Sequence, residues 1–485
     1  MSDLDARRKL FLGPQIRKLR RGMNLTQAQM ADGLDISASY LTLIERNQRP
    51  LTAQLILRLA DVYDVDVRAL APNTDGSIRV GLKEVAADPA LSGIDLSPVE
   101  LEEMADLFPR AAEAMLKLHE RYRQARDDVN ALADTAPDGA NAPAIGNAAV
   151  EEARETLQAN DNYFAALEDA AKDIVARGKL RTDLPQSLTA SLVNHLKDRH
   201  NVDVVIMPYD VMKGLLRRFD RHRKRLLLSE LLAPSGRTFQ VASLVGQLEA
   251  GELVRALAAD ARLSGESSRG MYRLTLGNYL AGAIMFPYDR FHEAAERLRY
   301  DVEVLASRFG ASFEQAAHRL TTLRRPGARG VPFFMIRVDR AGNISKRFGG
   351  GVFPFARSGG TCPRWRLYEA FRNPGRVVVD VAALPEGQVF VTAARTVNRP
   401  GQGAHMPGQE LVIGVGAEAS HADRLVYADG LDLSKKGAVR RETPIGVNCR
   451  VCPREDCTWR AVPPLSGTLM VDPTRRSLTP YHVVT

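Results

Sequence analysis

Three cysteines fall within nine residues, in Gly446-Val447-Asn448-Cys449-Arg450-Val451-Cys452-Pro453-Arg454-Glu455-Asp456-Cys457, a C-x2-C-x4-C spacing. A tight CxxC loop aims two sulfurs at one ion. Cys362, in Gly-Gly-Thr-Cys-Pro, is the one remaining cysteine of the chain and so the one candidate for a fourth ligand. Four thiolates suit either tetrahedral zinc or an iron–sulfur cluster, and spacing does not choose between them. Arg450, Arg454 and Arg460 would offset the negative charge of such a thiolate set. No cysteine precedes residue 362, which excludes a secreted disulfide framework in a chain of 485 residues.

A second set of side chains suits contact with DNA. Thr26 is a good N-cap, and Met30, Ala31 and Leu34 make an apolar stripe after it. Asp35-Ile36-Ser37 turns the chain into a helix over 37–46. Its inward residues are Leu41 and Ile44, which leaves Ser39, Tyr40 and Thr42 facing outward. A recognition helix must present small polar side chains near its N-terminus to reach base edges in the major groove, and Ser37, Ser39, Tyr40 and Thr42 meet that need. Gln27 opens the preceding helix and can meet a phosphate or an adenine; Arg17, Arg46 and Arg49 can bind phosphates. The segment LTQAQMADGLDISASYLTLIERNQRPLT resembles the Cro/phage-repressor helix-turn-helix family over about 60 residues.

The middle of the chain carries a motif with its chemistry removed. Arg237-Thr238-Phe239-Gln240-Val241-Ala242-Ser243-Leu244-Val245-Gly246-Gln247-Leu248 resembles the active helix of the ImmA/IrrE metallopeptidases, which normally bears HExxH. The corresponding positions are Ser243, Leu244 and Gln247. The helix resembling the carrier of the third ligand, Gly277 to Pro287, has about Leu274 where glutamate belongs. Leucine is neither ligand nor base, so zinc hydrolysis is not expected and the chain is expected not to be an enzyme. The alternative reading, a zinc peptidase that cleaves a repressor, lacks its motif. Another alternative is an antitoxin-like DNA-binding module with a structural zinc.

The layout as a whole resembles the short-chain fatty acyl-CoA regulators of bacteria, which govern the methylcitrate cycle and propionyl-CoA carboxylase. The resemblance rests on the helix-turn-helix, the degenerate middle domain and the run Leu323-Arg324-Arg325-Pro326-Gly327-Ala328-Arg329-Gly330-Val331-Pro332-Phe333-Phe334, continuing through Lys346. It implies a DNA-binding regulator whose middle domain senses an acyl-CoA, with propionyl-CoA the leading effector, and it leans toward a 4Fe-4S cluster on the cysteines. The residues make chemical sense for this. CoA phosphates need Arg, Lys and free N–H groups, which Arg324, Arg325, Arg329 and Lys346 in or near a glycine-containing loop can supply. A short acyl chain needs a small apolar pocket with aromatic walls, for which Tyr163, Tyr272 and Tyr279 are candidates.

The elements that position these groups follow from pattern. The fold class expected is multidomain α+β: an all-α helix-turn-helix bundle, a long dimer helix, a degenerate zincin-like α/β sensor domain and a β-rich C-terminal domain. The boundaries are placed at 1–80, 81–149, 150–325 and 326–485. Ser97-Pro98-Val99-Glu100 is a capping box with Pro at the first helical position. From there Leu101, Met104, Phe108, Ala111, Met115, Leu118, Tyr122, Ala125, Val129 and Leu132 keep a heptad seam suited to a homodimer on two half-sites, with a kink or new start at Pro109. A flexible linker is expected over 133–149, and helices over 150–175, 242–259, 272–283, 291–309 and 313–323. A strand is expected at 202–207 and a hairpin or extended run within 214–232. In the last domain strands are expected at 331–339, 376–381, 388–397, 410–416 and 424–427.

Composition is that of an ordinary globular protein, with 45% hydrophobic and 26% charged residues, and no apolar run reaches the length of a membrane helix. The first twenty residues show no apolar secretory segment, so a cytoplasmic location is expected. The formal charge of +8 is modest for the length. The basic first helix beside a polar second one therefore identifies a DNA partner better than net charge does.

Overall fold

The computed structural model describes residues 13–485 except 24, 47, 64–75, 92, 93, 95, 136–144, 183, 184, 213, 350–352, 356–359, 402–406, 432–441, 465–467, 471–473, 475, 480, 482 and 485. The chain forms two compact units, residues 1–117 and 118–485.

In the first unit the four helices α1 (Gly13–Gly22), α2 (Gln27–Gly33), α3 (Ala38–Glu45) and α4 (Ala53–Tyr63) close around Ile16, Met30, Leu34, Leu41, Ile44, Leu55 and Leu59. The boundaries follow from capping. Thr26 accepts from the Gln29 N–H while Gln29 reaches back to the Thr26 N–H, and Ser37 accepts from the Tyr40 N–H. A second small core joins α5 (Gly76–Ala86), α6 (Pro98–Leu107) and the start of α7 (Pro109–Thr135) through Ile78, Leu82, Val85, Leu101, Ala105, Ala112 and Leu116. The Ser97–Glu100 capping box and the break before Pro109 are both present.

The expected heptad seam is divided by this packing. Leu101 is buried, Met104 and Met115 lie at the margin of the core, and Ala105, Ala112 and Leu116, each one residue beyond a seam position, are buried. Phe108 and Leu118 remain 63% and 71% exposed, and Tyr122 and Ala125 are exposed too. The side chains of Val129 and Leu132 lie outside the described residues.

The second unit begins with helices α8 (Ile145–Ala159), α9 (Ala165–Arg177) and α10 (Pro185–His200). Two expectations are corrected here. The linker expected over 133–149 is helical at both ends, since α7 runs to Thr135 and α8 starts at Ile145; residues 136–144 lie outside the described residues. The single helix expected over 150–175 is two, because Asp161 and Asn162 adopt left-handed backbone with φ 53° and turn the chain between α8 and α9. Helix α10 was not foreseen.

Strands β1 (Asp203–Met207), β2 (Arg217–Asp220) and β3 (Arg225–Ser229) form a three-stranded sheet ordered β1-β3-β2, with short helix α11 (Tyr209–Met212) between the first two. The β2–β3 pair is the expected hairpin. The long helices α12 (Pro234–Asp260) and α13 (Glu266–Met285) bury Val241, Leu244, Val245, Leu276, Leu280 and Ile284 in the main core. Helix α12 kinks at Ala250 (φ −132°, ψ 19°).

The helix expected over 291–309 is also two, α14 (Tyr288–Arg297) and α15 (Val302–Arg308). Arg299 and Tyr300 have φ of 48° and 61°. That turn drives the Tyr300 ring fully into the core, where its hydroxyl donates to Glu296 Oε1 (2.5 Å) and accepts the Val331 N–H (2.8 Å). Helix α16 (Phe313–Leu320) follows, started by a Ser312–Gln315 capping box.

The last part is a six-stranded sheet ordered β5-β4-β8-β7-β6-β9, built from β4 (Phe334–Val338), β5 (Ile344–Phe348), β6 (Val378–Ala383), β7 (Val389–Arg399), β8 (Gln409–Glu418) and β9 (Thr443–Pro444). All neighbours are antiparallel except β6 and β9. A short antiparallel pair, β10 (Thr468–Leu469) and β11 (Val483–Val484), lies near the end. The strand expected at 424–427 is instead two 3-10 turns, Ala419–Arg424 and Val426–Ala428. Their polar groups reach across to the turn between α14 and α15: the Val426 N–H donates to the Arg299 carbonyl and the Tyr427 hydroxyl accepts the Val302 N–H, both at 2.9 Å.

The expected division at 325/326 does not divide the core. Met335, Val391, Ile413, Val415 and Leu425 belong to the same buried cluster as the helices of residues 150–325.

Candidate DNA-reading helix, arginine loop and cysteine knuckle

In the helix-turn-helix, Ser37, the N-cap of α3, and Ser39 in its first turn are exposed, with Arg46 and Arg49 exposed just beyond its end. Tyr40 packs partly against the core, and Thr42 is half-buried with its hydroxyl donating to the Ala38 carbonyl (2.9 Å). Arg17 and Gln27 are drawn inward. The buried Glu45 carboxylate accepts from Arg20 Nε (2.6 Å) and Nη2 (3.2 Å) and from Gln27 Nε2 (2.8 Å), and the Glu45 carbonyl accepts from Arg17 Nη2 (3.0 Å). Glu45 thus ties the recognition helix to α1 and α2, a role sequence reasoning missed because its partners lie 18 to 28 residues away.

Burial alone would raise the Glu45 carboxyl. Hydrogen bonds from Arg20 and Gln27 and the charges of Arg20 and Arg17 outweigh it and hold the group below the usual carboxylate range. The stability it supplies is therefore complete above about pH 4.3, the unfolded value, and is lost as the pH falls through the lower folded value. Glu45→Ala strands the Arg20 and Gln27 donors. It is expected to destabilise the helix-turn-helix by about 2–3 kcal/mol, read as a lower unfolding midpoint at neutral pH and a smaller further loss in acid than the parent shows.

The degenerate peptidase helix is filled by a cation of the chain itself. Arg217 on β2 donates from Nη1 to Ser243 Oγ (2.9 Å) and Gln240 Oε1 (3.5 Å), and from Nη2 to Gln247 Oε1 (3.3 Å). Leu244 is fully buried and Leu274 is exposed. A guanidinium against the Ser243–Gln247 face, and leucine in place of the general base, leave no place for the zinc chemistry of HExxH.

The candidate effector residues separate into three places. Arg324, Arg325 and Arg329 lie on the loop after α16, with Arg325 beside Tyr288 and Tyr163. The Arg325 guanidinium sits 3.9 Å from the Tyr288 ring centre and pairs with Asp289, and the Arg325 backbone N–H donates to the Tyr288 hydroxyl (2.8 Å). That hydroxyl donates on to the Ala328 carbonyl (2.9 Å), and the Tyr163 ring meets Tyr288 edge-on at 5.9 Å. Burial lowers the Arg324 pKa, against the pull of Asp161.

Tyr272 and Tyr279 are instead core residues, packed edge-on against Phe164. The Tyr279 hydroxyl donates to Glu168 Oε1 (2.6 Å), which with Oε2 also receives both Nη atoms of Arg319 (2.6 and 2.9 Å). Lys346 is held elsewhere, donating to Glu314 (2.9 Å), which also pairs with Arg337 (2.7 Å). Tyr288 and Asp289 were the missed members of the arginine loop's surroundings. The signal available was an aromatic–acidic pair directly after Phe286-Pro287.

The cysteines are gathered by backbone design. Asn448 Oδ1 accepts the N–H groups of Arg450 (2.8 Å) and Val451 (3.2 Å), which curls the CxxC loop. A Cβ at Gly446 would lie 2.7 Å from Cys452 Sγ, so this close approach requires glycine. The buried Arg460 donates to the carbonyls of Cys449 (2.8 Å) and Cys452 (3.2 Å) and to that of Arg454. Arg454 in turn donates to Ile445 (3.3 Å) and Ala383 (3.0 Å). Arg450 is exposed.

Cys362, Cys452 and Cys457 are buried and Cys449 is half-buried. Burial raises the Cys452 thiol above its usual value against the pull of the Arg454 N–H and the charges of Arg460 and Arg454; burial raises Cys362 likewise, with Cys449 and Cys452 among the groups acting on it. Among the described residues, no three of these sulfurs lie within 4.8 Å of one another.

Comparison with known proteins places these three regions. A helix-turn-helix profile matches residues 16–70, an IrrE N-terminal-like domain matches 197–321, and the profile described as "Short-chain fatty acyl coenzyme A regulator, C-terminal" matches 322–481. The chain is 40% identical over 477 residues to the HTH-type transcriptional regulator RamB of Mycobacterium tuberculosis, covering 98% of this chain and 99% of that one. It is 39% identical to the propionyl-CoA carboxylase regulator of Cereibacter sphaeroides (98% and 99%) and 35% identical to the HTH-type transcriptional regulator PrpR of M. tuberculosis (98% and 96%). A solved M. tuberculosis transcriptional regulator superposes with TM-score 0.65 at 37% identity, over 69% of this chain and 99% of that one. These relatives are regulators, not enzymes, in keeping with the loss of HExxH. No helix among the described residues is long and apolar enough to cross a membrane. With the helix-turn-helix, the IrrE-like domain and the C-terminal regulator domain matched in order along its length, the chain belongs to the short-chain fatty acyl coenzyme A regulator family.

Proposed function

We propose that the chain is a homodimeric, operator-binding transcriptional regulator that senses a short-chain acyl-CoA, propionyl-CoA foremost, and carries a 4Fe-4S cluster on Cys362, Cys449, Cys452 and Cys457. Its place of work is then the cytoplasm, where its DNA is.

Residues Ser37 and Ser39 reach base edges, with Tyr40 and Thr42 at the flank of the same helix, and Arg46 and Arg49 bind phosphates. Arg17 and Gln27 act through Glu45, fixing the angle of α3. The exposed apolar Leu118 and Tyr122 on α7 supply a surface for a second copy and hence for two half-sites.

The observation that carries the effector reading is the arginine loop: three arginines between α16 and β4, with the Arg325 guanidinium stacked on Tyr288 beside Tyr163. Phosphates of CoA need such a set. Tyr272, Tyr279 and Lys346 shape the surrounding core rather than touching the ligand. The C-terminal regulator profile and the propionyl-CoA carboxylase regulator among the relatives support the same effector class.

The donor set fits the cluster. Three of the four thiols are buried, and Arg460 holds the carbonyls of Cys449 and Cys452, which suits a thiolate-ligated group; the family resemblance supports the cluster over tetrahedral zinc. When bound, the cluster supplies one-electron redox chemistry; the chain supplies the knuckle, the Arg460 charge and exclusion of water.

Propionyl-CoA in excess is expected to raise the Tm of the full chain, by about 2.7 kcal/mol of stabilisation at one hundred times Kd. Arg324→Ala/Arg325→Ala is expected to remove the shift. The full chain is required because residues 150–325 and 326–485 share one core. No shift at high excess would contradict the sensor role.

A further inference from the structure

We propose that His195, His200 and Glu249 form a binding site for one divalent transition-metal ion of the zinc class, separate from both the lost peptidase centre and the cysteines. Two of the ligands come from the last turns of α10 and the third from α12, one residue before its kink at Ala250. Among the described residues this is the one group of three His, Cys, Asp or Glu side chains whose ligand atoms all lie within 4.8 Å of one another. His200 Nε2 stands 3.1 Å from Glu249 Oε1, and His195 Nε2 is in contact with the same oxygen. The edge of a tetrahedron around zinc with ligands at about 2.05 Å is about 3.3 Å, so small movements bring the set to metal geometry.

The second observation is the other carboxylate oxygen. Glu249 has a side chain only 4% exposed, and its Oε2 is buried with no hydrogen-bond partner. A buried acceptor left without a donor is costly, and a cation satisfies it. Arg177 and Arg199 approach this carboxylate at 3.7 and 3.5 Å. Both are about half exposed, so an ion bound directly to the carboxylate can displace them into water. Glu249 also lines an open cavity of about 410 Å³, together with Asp173, Arg177 and Glu252, which brings solvent, and with it an ion, to this carboxylate.

The close packing around His195 is specific. A Cβ at Gly178 would lie 2.8 Å from His195 Nδ1, so the ring is held against the backbone at the end of α9. The site is not the family's zinc position, because the residues matching HExxH are Ser243, Leu244 and Gln247, two of which Arg217 already engages. It does not depend on the regulatory reading, and its test does not use DNA or acyl-CoA.

The test is the zinc content of the full chain after dialysis against Zn2+, beside that of His200→Ala and of His195→Ala/His200→Ala. The parent is expected to hold one more zinc per chain than the double variant. His200→Ala is expected to bind that zinc at least about tenfold more weakly. Co2+ in its place is expected to give weak visible bands that the double variant lacks, with the intense sulfur-to-cobalt charge transfer of the cysteines unchanged. Should the double variant lose its circular dichroism, the single variant at the partly buried His200 decides. Equal zinc affinity in parent and folded His200→Ala overturns the site.

Discussion

Cys452→Ser is expected to leave the purified chain with neither iron nor acid-labile sulfide, measured after anaerobic preparation. Cys452 sits at the centre of the knuckle, pressed against Gly446 and enclosed by the carbonyl contacts of Arg460. A serine hydroxyl is a poor ligand beside a thiolate, and the three remaining sulfurs leave one iron without its cysteine. Because burial raises the Cys452 thiol, the free protein holds it protonated, and cluster binding must release that proton. Cluster occupancy should therefore fall as the pH is lowered. Zinc in the parent in place of iron and sulfide would favour a structural zinc reading. Full iron and sulfide in Cys452→Ser would show that this residue is not a ligand.

Arg319→Leu is expected to destabilise the 118–485 unit by about 3–5 kcal/mol, because it leaves the Glu168 carboxylate buried without its cation. Arg319 and Glu168 side chains are 3% and 4% exposed, joined by two hydrogen bonds, and Arg319 also donates to the Phe286 carbonyl (3.2 and 2.9 Å) and to Thr322 (3.0 Å). Tyr279 shares the same carboxylate, and burial with the Glu168 charge pushes its hydroxyl well above the ordinary tyrosine value. Removing both charges avoids the buried lone carboxylate. Glu168→Leu/Arg319→Leu should thus lie closer to the parent in chemical denaturation than Arg319→Leu does. A double variant as unstable as the sum of the singles would show that the pair is not coupled.

Much of the local structure was legible from residue order alone. Thr26, Ser37 and Ser97 stop and start helices because a side-chain oxygen meets a nearby N–H, and such contacts span three residues. The β2–β3 hairpin and four of the five expected C-terminal strands were readable for a similar reason, since alternation and turn residues act over short distances. The breaks at Asp161–Asn162 and Arg299–Tyr300 were not legible. At Arg299–Tyr300 the turn seats a buried tyrosine whose partners include Val331, 31 residues on.

The candidate residues could be picked out by type but not by place. The arginines of the loop and the four cysteines read directly from composition and spacing. Tyr279, by contrast, is an aromatic like Tyr288, and only the fold shows that one faces Glu168 and the other the arginine loop. Glu45, and the meeting of His195 and His200 with Glu249 some fifty residues away, are invisible to any local pattern.

On the proposed function, one chain reads DNA in response to an acyl-CoA. Its most direct test is fluorescence anisotropy of the full chain on a duplex enriched by it from a random pool, with and without saturating propionyl-CoA. Coupling of the usual size, about 1–3 kcal/mol, predicts a change in Kd of at least about fivefold, lost in Arg324→Ala/Arg325→Ala and absent with free propionate. The same Kd with and without propionyl-CoA would contradict the account.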